Sequence, residues 1–196
     1  MKKILLSVLA ITLTVGLVSG AAYAVFSDTA EVNGIAISTG NADLRINGAN
    51  NLSNALDVDN VYPGWMDGEK FYLTNNSSSN IGLEVTAKIR EKSQDWNILK
   101  DEIKVRVLEY VNESHANNDL NDGKPGENIS TPPTKDTGWK TLEEWKASEK
   151  EITGSPISQN DTRYYVVWGY VNSSAGNNIA QKNVRVNYDL VGTQAN

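Results

Sequence analysis

Residues 81 to 89 alternate without a break, with Ile81, Leu83, Val85, Ala87 and Ile89 apolar and Gly82, Glu84, Thr86 and Lys88 between them. A two-residue period puts the apolar set on one face of a pleated strand and the polar set on the other. The period recurs in Ala42, Leu44 and Ile46, in Ile103, Val105 and Val107, and in Val184, Val186, Tyr188 and Leu190; a shorter run, residues 69 to 74, carries Phe71 and Leu73. Such half-wet strands belong to antiparallel sheets. The run RYYVVWGYV, residues 163 to 171, is apolar or aromatic on both faces and is predicted to be a central strand.

Pro63-Gly64, the cluster from Asn75 to Asn80 and the stretch from Ser173 to Asn178 supply the turns between these runs. Many short strands with polar turns predict an all-β, two-sheet antiparallel sandwich rather than alternating α/β units. Helix is scarce. TLEEWKASEK sets Thr141 three residues before Glu144, a capping-box spacing, and predicts one short surface helix. A further turn or two around Gln94 to Leu99 would pack through Trp96 and Leu99. The polar stretch from Val111 to Gly138 shows no periodicity and is read as a long loop.

The amino-terminus has the three-part layout of a secretory signal: Lys2 and Lys3, an apolar core from Ile4 to Val18, then small residues leading to Ala22-Tyr23-Ala24. Cleavage between Ala24 and Val25 is expected. It removes two lysines and no acid from a chain whose net charge is already −6. A chain this acidic repels phosphate backbones and anionic lipid, so nucleic acid is excluded as a main partner. The chain has no cysteine, so its stability cannot rest on disulfides. The length beyond residue 24 suits one domain with a sizeable core.

Candidate chemistry is thin. His115 is the single histidine, which with no cysteine leaves no zinc cluster of the usual ligands and no Ser-His-Asp triad. It is expected to lie solvated in the polar loop. NNDLNDG, residues 117 to 123, fails as an EF-hand, because Leu120 falls where an oxygen ligand is needed and Ile129 where the bidentate glutamate should stand. Asp119 with Asp122, or Asp57 with Asp59, could form a looser carboxylate site, although plain turns account for them. No cofactor is expected. Trp65, Trp96, Trp139, Trp145 and Trp168 could build a platform for sugar rings, but are better read as packing a sandwich core. Glycosylation sequons stand at Asn51, Asn75, Asn76, Asn112, Asn128, Asn160 and Asn172.

Residues 22 to 46, AYAVFSDTAEVNGIAISTGNADLRI, join the cleavage site to Phe-x-Asp and then to a Ser-Thr-Gly-x-x-Asp-Leu run at Ser38 to Leu44. YPGWMDGEKFYLTNNSSSNIGLEVTAKI, residues 62 to 89, adds a Pro-Gly turn before two strands, and YYVVWGYV and VNYDLVGTQ come near the carboxy-terminus. Together these stretches resemble the TasA/camelysin family of exported, fibre-forming matrix proteins. The resemblance implies a jelly-roll sandwich and export through a dedicated signal peptidase. It also implies extracellular or cell-surface fibres, a homopolymer with room for other matrix components. In such fibres the amino-terminal strand of each subunit completes the sheet of a neighbour. Some members carry a metallopeptidase label, which no motif here supports.

Within Val25 to Asn33, the residues Phe26, Asp28, Ala30 and Val32 share one face of a strand. Val25 begins the donor strand and Gly34 supplies a flexible joint after it. A head-to-tail contact between a strand and a remote groove propagates as a filament rather than closing as a dimer. The function expected is therefore that of a non-enzymatic structural subunit. The alternatives are a monomeric carbohydrate-binding module with its first strand in its own sheet, and a camelysin-type metallopeptidase. A type IV pilin does not fit, because polar residues come directly after Phe26.

Overall fold

The computed structural model describes residues 27–31, 36–38, 42–48, 57–78, 80–91, 95–127 and 130–195. Among them the strands form two six-stranded antiparallel sheets around one continuous core, the all-β sandwich that the alternation predicts. The first sheet contains β1 (Ser27–Glu31), β2 (Ala36–Ser38), β4 (Asp57–Val61), β6 (Leu83–Glu91), β10 (Lys150–Glu151) and β12 (Lys182–Gln194). Its order is β10-β6-β12-β1-β2, with β4 paired to the beginning of β12. The second contains β3 (Leu44–Ile46), β5 (Met66–Asn75), β7 (Ile103–Tyr110), β8 (Lys135–Asp136), β9 (Lys140–Thr141) and β11 (Thr162–Val171). It runs β3-β5-β11-β7-β8, with β9 also on β7.

The alternating residues land as their period requires. Leu83, Val85, Ala87 and Ile89 of β6 face the core with Val184, Val186, Tyr188 and Leu190 of β12, and Leu44, Ile46, Ile103, Val105 and Val107 meet them from the other sheet. The aromatic run is β11, central between β5 and β7, with both faces covered. Its inner face stacks Tyr165 on Phe71 at 5.0 Å. Helix α1 (Trp96–Leu99) buries Trp96 and Leu99. The other predicted helix is α3 (Leu142–Ala147). Thr141 Oγ1 accepts from the Glu144 amide at 3.1 Å and Glu144 Oε2 from the Thr141 amide at 2.7 Å, which completes the capping box. Trp145 lies fully in the core, and its Nε1 donates to the Val105 carbonyl at 3.1 Å.

The stretch from 111 to 138 departs from the loop expected of it. It opens with a ten-residue helix, α2 (Glu113–Asp122), closed by Gly123 in the left-handed conformation that glycine favours. The helix packs Ala116, Asp119 and Leu120 against Leu108, Tyr110, Val166 and Trp168 on the outer face of the second sheet. Those positions have helical spacing, but the middle one is a carboxylate, so hydrophobicity alone shows no period. Asp119 is buried because donors meet it: Trp168 Nε1 at 2.7 Å and the Gly126 amide at 2.5 Å. Burial, and then the neighbouring Asp119, raise the Tyr110 phenol above its ordinary range. Helix and sheet approach closely enough that a Cβ on Gly68 would stand 3.0 Å from Leu120 of the helix, as well as 2.8 Å from the Trp168 indole beside it in the sheet.

Arg106 ties down the chain beyond α2. Its Nε and Nη2 hold Asp136 at 2.8 and 2.6 Å, its Nη1 donates to the Pro125 carbonyl at 2.8 Å, and its guanidinium lies over Trp139. Hydrogen bonding from Arg106 holds the Asp136 carboxyl below its ordinary value of 3.8, against a smaller opposing effect of burial. A depressed folded value means that this pair stabilises the fold above the ordinary carboxylate range and is lost as pH falls through the lowered value. Asp136→Asn is therefore expected to cost stability at neutral pH and progressively less below the carboxylate range. Urea titrations of both proteins across that window measure the difference.

Among the described residues one core hydroxyl is left unsatisfied. The Tyr188 hydroxyl is fully buried without a hydrogen-bond partner, its ring edge-on to Trp145 at 6.2 Å. Burial pushes its phenol far above the ordinary range. Tyr188→Phe removes an orphaned hydroxyl while keeping the ring, and is expected to gain about 1 kcal/mol in urea unfolding; a loss would mean that the hydroxyl has a partner.

Candidate assembly strand and its bed

β12 is the longest strand of the sandwich, and β1 is laid along it. The register sets Ser27 opposite Thr193, Asp28 opposite Gly192, Thr29 opposite Val191, Ala30 opposite Leu190 and Glu31 opposite Asp189. On its other side β1 pairs with β2, Asp28 with Ser38, Thr29 with Ile37 and Ala30 with Ala36. β2 is the outermost strand here, and β1 is the only partner of β2 among the described residues. Among the described residues the amino-terminal hairpin therefore joins the sheet through a single strand pairing, β1 on β12, and β1 also approaches β3 of the second sheet. The far side of β12 is held by β6 over nine paired positions from Val186 to Gln194. Strand β12 thus keeps a partner along this whole length on the side away from the hairpin.

The bed alternates along the stretch that β1 covers, Asp189 to Thr193, whereas further back Asn187 is buried between Val186 and Tyr188. Val184, Val186, Tyr188, Leu190 and Gly192 are buried, whereas Arg185 and Thr193 are exposed and Asp189 and Val191 are half-buried. Asp189 also accepts from Arg90 Nε at 2.9 Å across the pair with β6. The register places Asp28 and Ala30 at positions of the buried row, and Ser27, Thr29 and Glu31 at positions of the wet row. Such a contact offers main-chain hydrogen bonds and alternate side-chain positions, which is the chemistry of strand addition rather than of a reaction.

Of the residues expected to act in this device, Asp28 and Ala30 are in β1. Ala22, Ala24, Val25, Phe26, Val32 and Gly34 lie outside the described residues. The partners of β1, namely Gly192, Leu190 and the whole of β2, were not foreseen. Alternation in VNYDLVGTQ marks the buried row, and Gly192 is its one position without a side chain.

The other candidates resolve individually. His115 is on α2 and half-buried rather than free in a loop. Asp119 is engaged by Trp168 and Gly126, and Asp122 accepts from the Lys124 amide at 2.9 Å, so these two acids hold the end of the helix in place. Asp57 and Asp59 stand in β4. Among the described residues no three histidines, cysteines or acids come together as a metal site would require. Trp65, Trp96, Trp145 and Trp168 are buried, and Trp139 packs on Tyr170 at 5.6 Å, so core and surface packing account for all five indoles.

Among the sequons, Asn75 needs correction. It is fully buried, its Nδ2 donating to the carbonyls of Ile81 and Ile157 at 2.8 Å each, which leaves no room for a glycan on the folded domain. Asn76, Asn112, Asn160 and Asn172 are not buried in this way, while Asn51 and Asn128 lie outside the described residues.

Among the described residues no helix is long and apolar enough to cross a membrane. No curated protein matches the chain. A family model described as camelysin metallo-endopeptidase does match, over residues 1–196, and the protein belongs to that family.

Proposed function

We propose that the protein is an exported structural subunit that polymerises head-to-tail, each copy laying its amino-terminal strand on β12 of the next. The observation that supports this is the attachment of β1: a terminal hairpin paired to the rest of its sheet only along Asp189 to Thr193. A second copy offers the identical edge, so exchange replaces every main-chain bond it breaks. Cleavage after Ala24 would free the strand's terminus and release the subunit to the cell exterior or its surface. The family description implies a metal, and the donor set does not fit one. The chain carries one histidine and no cysteine. The buried acids Glu109 and Asp119 are already taken by hydroxyl, indole and backbone donors. We therefore read the protein as a non-enzymatic member of its family.

The test exploits the lack of native cysteines. Thr29 and Val191 are directly opposite, a separation of about 5 Å between Cα atoms in antiparallel strands that suits a disulfide. Thr29→Cys with Val191→Cys, oxidised as a dilute monomer, is expected to lock β1 in its own sheet and prevent fibres in electron micrographs of the cleaved protein. Reduction should restore them. Oxidation after assembly should give a ladder of covalent oligomers on a denaturing gel. A locked monomer that polymerises as well as the reduced protein would overturn donor exchange and favour a self-contained binding module.

A further inference from the structure

Asp28 is an acid at a buried-row position, and this placement carries information beyond the exchange itself. From the register we infer that Asp28 and Gly192 form the register key of the assembly strand: β1 enters β12 only where the acid meets the residue without a side chain. The inference rests on the proposed exchange for its role between subunits, but it applies equally to β1 in its own sheet.

The surrounding row is built from small residues. Across the sheet, Ser38, Asp28, Gly192 and Val85 occupy one set of paired positions, and Ala36, Ala30, Leu190 and Ala87 the next. These pairs alone specify register weakly, since alanine fits opposite almost anything. A slip of one residue would exchange the buried and wet rows outright and is excluded on that ground. Slips of two residues preserve the rows and are the real competitors. In one direction Asp28 would come opposite Leu190, which is 3 % exposed, and Ala30 opposite Tyr188. A carboxylate set against a buried leucine loses its water without gaining a donor, a cost that no alanine contact offsets. In the other direction Ser27 would pass the end of β12 at Gln194, and Ala30 would face Gly192, leaving the position underfilled.

An aliphatic residue at position 28 would strengthen burial while permitting the first slip. The acid therefore trades affinity for a single alignment, and in a fibre that alignment makes every junction alike.

Three cysteine pairs read the register directly, each with Val191→Cys. Thr29→Cys reports the native alignment, Ser27→Cys the slip that brings Asp28 opposite Leu190, and Glu31→Cys the slip that brings it opposite the residue two places beyond Gly192 toward the end of β12. With Asp28 present, the Thr29 pair is expected to form at least about tenfold more disulfide than the Ser27 pair, in keeping with the cost of a desolvated carboxylate. In Asp28→Ala the Ser27 pair should rise to a comparable yield, and Gly192→Leu should suppress the Thr29 pair. Thermal melts of each variant check that the sandwich has folded, and Asp28→Asn, which keeps the size and removes the charge, gives an intermediate yield. If Asp28→Ala leaves the Thr29 pair exclusive, the hairpin sets the register and the key is wrong. Whether the disulfides run within or between chains is a separate readout. Chains linked only to themselves at every concentration would sink the fibre proposal and leave the key standing. An intermolecular ladder with a register indifferent to residue 28 would do the reverse.

Discussion

Deleting residues 25 to 34 from the cleaved protein is expected to abolish fibre formation while leaving a folded, less stable domain. The deletion removes β1, and with it the only described partner of β2, so two strands leave the sheet together. The core survives, because β12 remains paired with β6 and its buried row still faces the second sheet. What is lost is main-chain pairing along Asp189 to Thr193, a destabilisation on the order of 3 kcal/mol at the net value of a few backbone hydrogen bonds. The exposed edge invites disordered aggregation, so micrographs must distinguish regular fibres from clumps. A synthetic peptide of residues 25 to 38 should bind this edge, raise the melting temperature and cap it against further growth. Regular fibres from the truncated protein, equal in yield to those of the intact one, would eliminate β1 as the assembly element.

The second large effect is expected inside the sandwich. Glu109 is 1 % exposed and faces the core from β7, yet it is fully engaged. Its Oε1 accepts from the Tyr165 hydroxyl at 3.0 Å, and its Oε2 from Thr134 Oγ1 at 2.7 Å and the Gly154 amide at 2.8 Å. One carboxylate thus pins two segments, those around Thr134 and Gly154, to the central strands. The segments also meet each other so closely that a Cβ on Gly154 would stand 2.5 Å from the Thr134 carbonyl oxygen. Glu109→Ala removes the acceptor of all three donors, leaves the buried Tyr165 hydroxyl without it and opens a cavity, and should cost about 3 kcal/mol.

Glu109→Gln separates the possible reasons. Its carbonyl can still accept from Thr134 and Gly154, and its amide can donate to the tyrosine oxygen, which accepts as readily as it donates. A cost within about 1 kcal/mol is expected for it. If glutamine proves as damaging as alanine in urea unfolding, the charge itself is needed and the hydrogen-bond account is incomplete. Both variants leave β1 and β12 untouched, so fibre formation should track their stability and nothing else.

The contrast between these two sites shows what could be read in advance. Period-two alternation in residues 81 to 89 and 184 to 190 determined which side chains form the core, because a pleated strand leaves no other arrangement. The doubly apolar run at residues 163 to 171 determined its central place for the same reason. The Thr141 to Glu144 spacing located α3, since a capping box is a local contact. These features depend on neighbours a few residues apart.

Helix α2 was hidden because its buried face is Ala116, Asp119 and Leu120, and only Trp168, 49 residues further along, makes burial of that acid acceptable. Glu109 follows the alternating run Ile103 to Val107 with nothing nearby in sequence to mark it for burial, because Tyr165, Thr134 and Gly154, which engage it, come from 25 to 56 residues further along. Asp28 is the clearest case. The sequence by itself determined that an acid interrupts the apolar face of the first strand, and it could say nothing of what that acid meets. Only the tertiary structure decided that the position opposite is Gly192, because strand register between the two ends of the chain is set by the packing of the whole sheet.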